Sequence, residues 1–166
     1  MEAKDYVEKL DWESAIAAAT LELESPKKKG QTTQITPAES YLYRGIARCF
    51  TPDKEGKHKE AIEDLSKAIV KCVGSDMDKA YYYRAYAFYL DGNYEKAIED
   101  CNNQIPYKDE LLGKIYSAMG KYKEAAENLN AAVKWWFKQK PASSNSKSLF
   151  TGQLPGSLQK DEQRIG

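Results

Sequence analysis

The sequence holds one histidine, three cysteines and no surplus of either charge, and each shortage removes a class of function. A single imidazole, His58, cannot supply the His pair that many zinc sites need. Lys+Arg and Asp+Glu are both 25, so the formal net charge is zero. A nucleic-acid partner, whose affinity comes from surplus cations against phosphate, is therefore not expected. The densest basic run, Lys27-Lys28-Lys29, is short and reads as a solvated loop. No stretch reaches the roughly 18 apolar residues of a membrane span, so membrane insertion is not expected. Met1 to Leu10 is charged and lacks an apolar h-region, which reads as no signal peptide and a cytoplasmic protein. Cys49, Cys72 and Cys101 lack metal-ligand spacing and fall in helical patterns, as reduced buried thiols do. Glycine-rich phosphate loops are absent. Cys49 and His58 flank an insertion with nothing to orient one toward the other, so they do not read as nucleophile and base. Neither catalysis nor a cofactor or metal is expected.

What is present is a pattern that recurs. It reads Gly56-x4-Ala61-x3-Leu65-x2-Ala68, then Gly92-x4-Ala97-x3-Cys101-x2-Gln104, then Gly120-x4-Ala125-x3-Leu129-x2-Ala132. A glycine followed by small or apolar residues at these intervals describes a turn and then a helix with one apolar face. A further helical pattern precedes each: Ala38 to Phe50, about Met77 to Leu90, and about Tyr107 to Met119. The first has a capping box, with Thr36 as N-cap, Pro37 in the first turn and Glu39 three residues after the cap. Ser75 is the candidate cap of the second. Gly45, Ala85 and Gly113 mark the middle of each first helix, and Ala61, Ala97 and Ala125 lie early in each second. Small facing small is the expectation, because it lets two antiparallel helices approach along their length.

On these residues the chain resembles the tetratricopeptide-repeat family. The second unit matches as Tyr81-x2-Arg84-Ala85-x2-Phe88-x3-Gly92-x-Tyr94-x2-Ala97. The third matches as Leu112-Gly113-x2-Tyr116-x3-Gly120-x-Tyr122-x2-Ala125, and the first begins as Tyr41-x2-Arg44-Gly45 with about four extra residues before Gly56. A degenerate unit precedes them, with Trp12-x2-Ala15-x3-Ala19-x3-Leu23 as its second helix and Ala3 to Leu10 as a shortened first. The resemblance implies an all-α, right-handed α-solenoid of about seven or eight helices. Its expected division is a repeat domain over 1–140, with the degenerate unit at 1–25, a loop at 26–36 and repeats at about 37–73, 76–105 and 106–138. A flexible tail occupies 141–166. Gly45 to Ala85 spans 40 residues and Ala85 to Gly113 spans 28, where the family repeats every 34. Pro106 should end the second repeat's second helix near Gln104.

The resemblance further implies that the first helix of each unit lines an inner, concave surface. Leu42, Ile46, Cys49 and Phe50 would face inward from the first repeat, Lys79, Tyr82, Tyr86, Tyr89 and Leu90 from the second, and Glu110, Lys114 and Ser117 from the third. The candidate peptide-binding groove is Leu42, Ile46, Phe50, Lys79, Tyr82, Tyr86, Tyr89 and Lys114, with tyrosine offering ring area and a hydroxyl at low rotamer cost. Tyr81 to Tyr83 cannot share one direction, so at least one belongs to the core. Some family members clamp a chaperone's terminal carboxylate with Lys, Asn and Arg. The matching places here are Leu42 and Ile46, Tyr83, then Tyr107 and Leu111, and in a frame shifted to the N-terminal unit only Lys79 fits, so that clamp is not expected. The acidic runs Glu60 to Asp64 and Lys96 to Asp100 read as solvated outer faces. Trp135-Trp136-Phe137 either covers the last repeat or forms a sticky surface, and Leu149, Phe150 and Leu154 are apolar anchors in the tail that could fold back into the groove or dock into another copy. The function expected is an adaptor or co-chaperone that holds a protein or peptide partner. A self-associating scaffold and a bacterial secretion-type chaperone are the alternatives.

Overall fold

The computed structural model describes residues 2–25, 36–51, 57–103, 105 and 107–139. These hold eight helices: α1 (Ala3–Glu8), α2 (Trp12–Glu24), α3 (Pro37–Phe50), α4 (Lys57–Ile69), α5 (Ser75–Leu90), α6 (Tyr94–Cys101), α7 (Lys108–Ala118) and α8 (Tyr122–Gln139). No strand occurs among the described residues. The chain divides into a compact unit over 1–133 and a second over 134–166, with α8 crossing the boundary. The Lys27–Lys29 run, Gly56, Gln104, Pro106 and the 141–166 tail lie outside the described residues.

Local chemistry explains where the helices start and stop. Thr36 Oγ1 accepts from the Glu39 amide at 3.3 Å while the Thr36 amide donates to Glu39 Oε2 at 2.6 Å, closing the expected capping box. The cap of α5 is Gly74, not Ser75, which is the first helical residue. Gly74 has φ +59°, a turn geometry that lets the chain reverse from α4. Helix α6 stops at Cys101, three residues before the expected Gln104.

Three helix ends share one hydrogen-bond pattern. The amides of Asp11, Asn93 and Lys121 donate to the carbonyls of Tyr6, Phe88 and Tyr116 at 2.9, 2.8 and 2.9 Å. This six-to-one bond needs a left-handed residue one place earlier. Gly92 (φ +77°) and Gly120 (φ +73°) supply it in the second and third repeats. Leu10 supplies it in the degenerate unit at φ +59°, a conformation that strains a side chain bearing a Cβ. Asp11 and Asn93 then cap α2 and α6, accepting from the Ser14 and Lys96 amides.

Each helix from α1 to α7 packs on its successor, and each odd-numbered helix in that run also packs on the next odd one. That is the stacking of helical hairpins. Helix α5 sits in the middle. One core cluster joins α1 to α5 around Leu42, Ile46 and Leu65, and a second joins α5, α6 and α7 around Cys101, Leu111 and Ile115. Tyr86 packs against both. The degenerate unit is tied in by Glu22, which accepts from the Ala3 amide at 3.0 Å and the Ser40 hydroxyl at 2.8 Å.

Within a hairpin, small does not face small. A Cβ placed on Gly45 would lie 2.6 Å from Leu65 Cγ, and one on Gly113 would lie 2.6 Å from Leu129 Cγ. The glycine is a socket that receives a leucine from the second helix. Where the socket is Ala85, the residue at the leucine's repeat position is Cys101, and both are fully buried in one cluster. The extra methyl on one helix is matched by lost volume on the other, as close packing requires.

The acidic runs also differ from expectation. Asp64 is 2% exposed and Asp100 is 4% exposed, so neither lies in water. Arg44 Nε and Nη2 donate to the two Asp64 oxygens at 2.8 Å each, and Arg84 forks onto Asp100 in the same way at 2.7 Å. The third guanidinium nitrogen reaches back to the preceding unit: Arg44 Nη1 to Thr20 Oγ1 at 3.2 Å, and Arg84 Nη1 to Ser66 Oγ at 3.0 Å. These hydroxyls donate in turn to the carbonyls of Ile16 and Ile62. Thr20 and Ser66 hold the same repeat position, so one clip of arginine, aspartate and hydroxyl recurs between successive units. Hydrogen bonding to the aspartates raises the arginine pKa values further. Arg48 adds a second guanidinium to Asp64 and a 3.1 Å pair with Glu60. A buried carboxylate is tolerated only with partners of this quality. Charges four residues apart in sequence suggested a wet face; the neighbouring arginines had made it an inner one.

Candidate functional site

The expected groove separates into two groups. Leu42, Ile46 and Cys49 are buried in the first core cluster, so they present no surface to a ligand. The Cys49 thiol points at the Tyr83 carbonyl, 3.7 Å away, and burial pushes its pKa well up. All three cysteines are buried free thiols, and burial raises Cys101 to about 12. Phe50, Lys79, Tyr82, Tyr86, Tyr89 and Lys114 keep part of their surface.

Phe50, Tyr86 and Tyr89 stand in a row of rings. Trp12 opens it at the start of α2 and stacks on Phe50, the last residue of α3, at 4.9 Å and 26°. Phe50 stacks on Tyr86 at 5.5 Å and 28°. Tyr86 faces Tyr89 at 6.1 Å, and Tyr89 faces Tyr94 at 6.2 Å. All five rings are half-buried. The row arises because Tyr86 and Tyr89 share a face of α5, while Trp12 and Tyr94 begin second helices beside the ends of first helices. Tyr82 lies off the row, edge-on to Tyr83 at 5.3 Å and to Tyr107 at 4.9 Å, where α5 meets the approach to α7. Of the tyrosine triplet, Tyr83 packs against the first core cluster and Tyr82 against the second, while Tyr81 lies under the Arg84 guanidinium.

Burial raises the pKa of Tyr82 and Tyr86, with Glu110 and Cys49 as lesser causes, so both phenols stay protonated donors at neutral pH. Among the described residues the Tyr82, Tyr86 and Tyr89 hydroxyls make no hydrogen bond. The two lysines are held at home: Lys79 Nζ sits 2.8 Å from Asp76 Oδ1, and Lys114 Nζ sits 2.7 Å from Glu110 Oε1. Beside Tyr89 a pocket of about 320 Å³ is lined by Tyr89, Gly113, Lys114, Ser117, Ala118 and Leu129. The missing side chain of Gly113 makes room for both the pocket and Leu129.

Sequence reasoning missed Trp12 and Tyr94 as members of the row. Their signal was present: each lies three residues before the buried alanine of its second helix, Ala15 or Ala97. It also missed Leu129, whose place in the helix pattern suggested core and which is 41% exposed. Trp136 and Phe137 meet edge-on at 5.3 Å and both stay exposed.

Among the described residues no three His, Cys, Asp or Glu side chains are placed to hold a metal ion, and no helix is long and apolar enough to cross a membrane. Residues 53–103, which span α4 to α6, match the family model of the tetratricopeptide repeat. A search of curated proteins finds no match. Tetratricopeptide repeats serve in general as protein–protein interaction modules. With that match and its stacked helical hairpins, the chain is a tetratricopeptide-repeat family protein.

Proposed function

We propose that this chain is a non-catalytic adaptor or co-chaperone that holds a segment of a partner protein along the ring row of α5. The observation that carries this reading is the run Trp12, Phe50, Tyr86, Tyr89 and Tyr94, in contact from ring to ring and half-exposed throughout. Tyrosine and tryptophan dominate the energetics of protein interfaces because they bury much area with few rotors. A terminal-carboxylate clamp gains no support: Leu42, Ile46 and Leu111 stand at three of its places and all are buried.

The test is affinity capture from native lysate with the full chain and with the Tyr86→Ala/Tyr89→Ala double variant. The expected result is loss of specific captured proteins at unchanged helicity. Identical capture by both would overturn the assignment of this face.

A second reading, self-association, has its own observation. Leu129 and Val133 are exposed one turn apart on α8, which leaves an apolar strip within the first unit. Light scattering at micromolar concentration decides it. A monomeric mass would remove the scaffold reading and leave the partner reading standing.

A further inference from the structure

We propose that the segment held by this face is uncharged, extended and proline-rich, in the polyproline II conformation. The inference rests on the partner-binding reading above and adds the chemistry of the occupant.

Charge is the first argument. The lysines flanking the tyrosines, Lys79 and Lys114, are each neutralised by a carboxylate on their own helix. An acidic ligand would have to displace Asp76 or Glu110 to gain a cation, and a basic one would meet no spare carboxylate in either pair. The face complements a neutral chain.

Spacing is the second. Neighbouring rings from Tyr86 to Tyr94 lie 6.1 and 6.2 Å apart. Polyproline II rises about 3.1 Å per residue, so every second residue meets the next ring edge. A β-strand would need a sheet edge to pair with, and the described residues hold no strand. A helix needs a trough about 10 Å across, whereas the pocket beside Tyr89, at about 320 Å³, has room for one large side chain.

Hydrogen bonding is the third. Polyproline II leaves its carbonyls unpaired inside the chain, and proline has no N–H to satisfy. Such a ligand needs donors. The Tyr86 and Tyr89 hydroxyls are donors that make no hydrogen bond among the described residues. A preformed polyproline II segment also loses little entropy on docking.

Three labelled peptides, titrated into the full chain by fluorescence anisotropy, test the proposal. One is a neutral twelve-residue Pro-Pro-Leu repeat with blocked ends. The second is an amphipathic helical peptide of the same length, and the third is acidic with a free C-terminus. We expect the Pro-Pro-Leu peptide to bind most tightly, with affinity unchanged between low and high salt. Tyr86→Phe, which keeps the ring stacked on Phe50, should weaken it by about fivefold, the worth of one hydrogen bond. Tyr89→Ala should weaken it by about tenfold or more. Tighter binding of the helical or acidic peptide, still lost in Tyr89→Ala, would overturn the proline-rich occupant while leaving the face intact. Binding of the Pro-Pro-Leu peptide that ignores both variants would overturn the occupant and the face together. No binding by any of the three would overturn the proline-rich proposal, and lysate capture would then decide the face.

Discussion

The first two full repeats and the third are built on one plan with different chemistry. In the first two, Arg44 and Arg84 lock buried aspartates and reach back to a hydroxyl on the preceding unit. In the third, Leu112 stands at the arginine's place and is buried, and Asn128 stands at the aspartate's place. Asn128 donates to the Glu124 carbonyl of its own helix at 2.8 Å. Asn102, at the hydroxyl's place, is exposed. The same helical hairpin therefore forms with an ionic clip or with an apolar contact. That agrees with the rule that well-packed apolar groups can replace a buried ion pair at little cost, whereas half a pair is expensive. The clip's distinctive contribution is directional: it ties one unit to the previous one through a fixed fork. The third unit, lacking it, leans on Leu111, Leu112 and Ile115.

The largest test of this contrast is Asp64→Ala against Asn128→Ala. Removing Asp64 strands Arg44 and Arg48 in a largely buried site, and should cost about 3–5 kcal/mol in urea unfolding. Asn128→Ala removes an exposed local bond and should cost under about 0.5 kcal/mol. Equal losses would mean that the clip is not what distinguishes the repeats.

A smaller effect probes the sockets. Gly45→Ala pushes a methyl into Leu65 and should cost about 1–3 kcal/mol. Adding Leu65→Cys recreates the Ala85 and Cys101 pairing of the second repeat. The double-mutant cycle should then show a favourable coupling of about 1 kcal/mol. Strict additivity would show that the two positions do not compensate.

The smallest effect should be a gain. Leu10 is 48% exposed and holds the left-handed conformation that glycine holds in the later repeats. Leu10→Gly should stabilise the degenerate unit by about 1 kcal/mol, seen as a rise in thermal midpoint. A loss instead would show that the Leu10 side chain contributes more by contact than its backbone costs.

Much of this architecture was readable in advance. The Thr36 capping box, the glycines at 92 and 120 and the alanines at 61, 97 and 125 act within a few residues of themselves, and all sit where their spacing placed them. Two kinds of feature were not readable. Asp64 and Asp100 looked solvated because their own helices are rich in charge, and only the arginines some 16 to 20 residues earlier explain their burial. Leu42 and Ile46 looked like groove residues because a helix has one inward stripe. In the stack α3 is covered by α1, α2, α4 and α5 together, leaving little free surface.

What the chain's own order of residues settles is short-range: where helices start, where they turn, and which positions are small enough to be sockets. Capping, φ preference and side-chain volume act between near neighbours, so they are written locally. The stacking of hairpins decides which carboxylates lose their water, which apolar residues become core and which rings line up across α2, α3, α5 and α6. Burial depends on every helix that covers a residue, and no single helix carries that information.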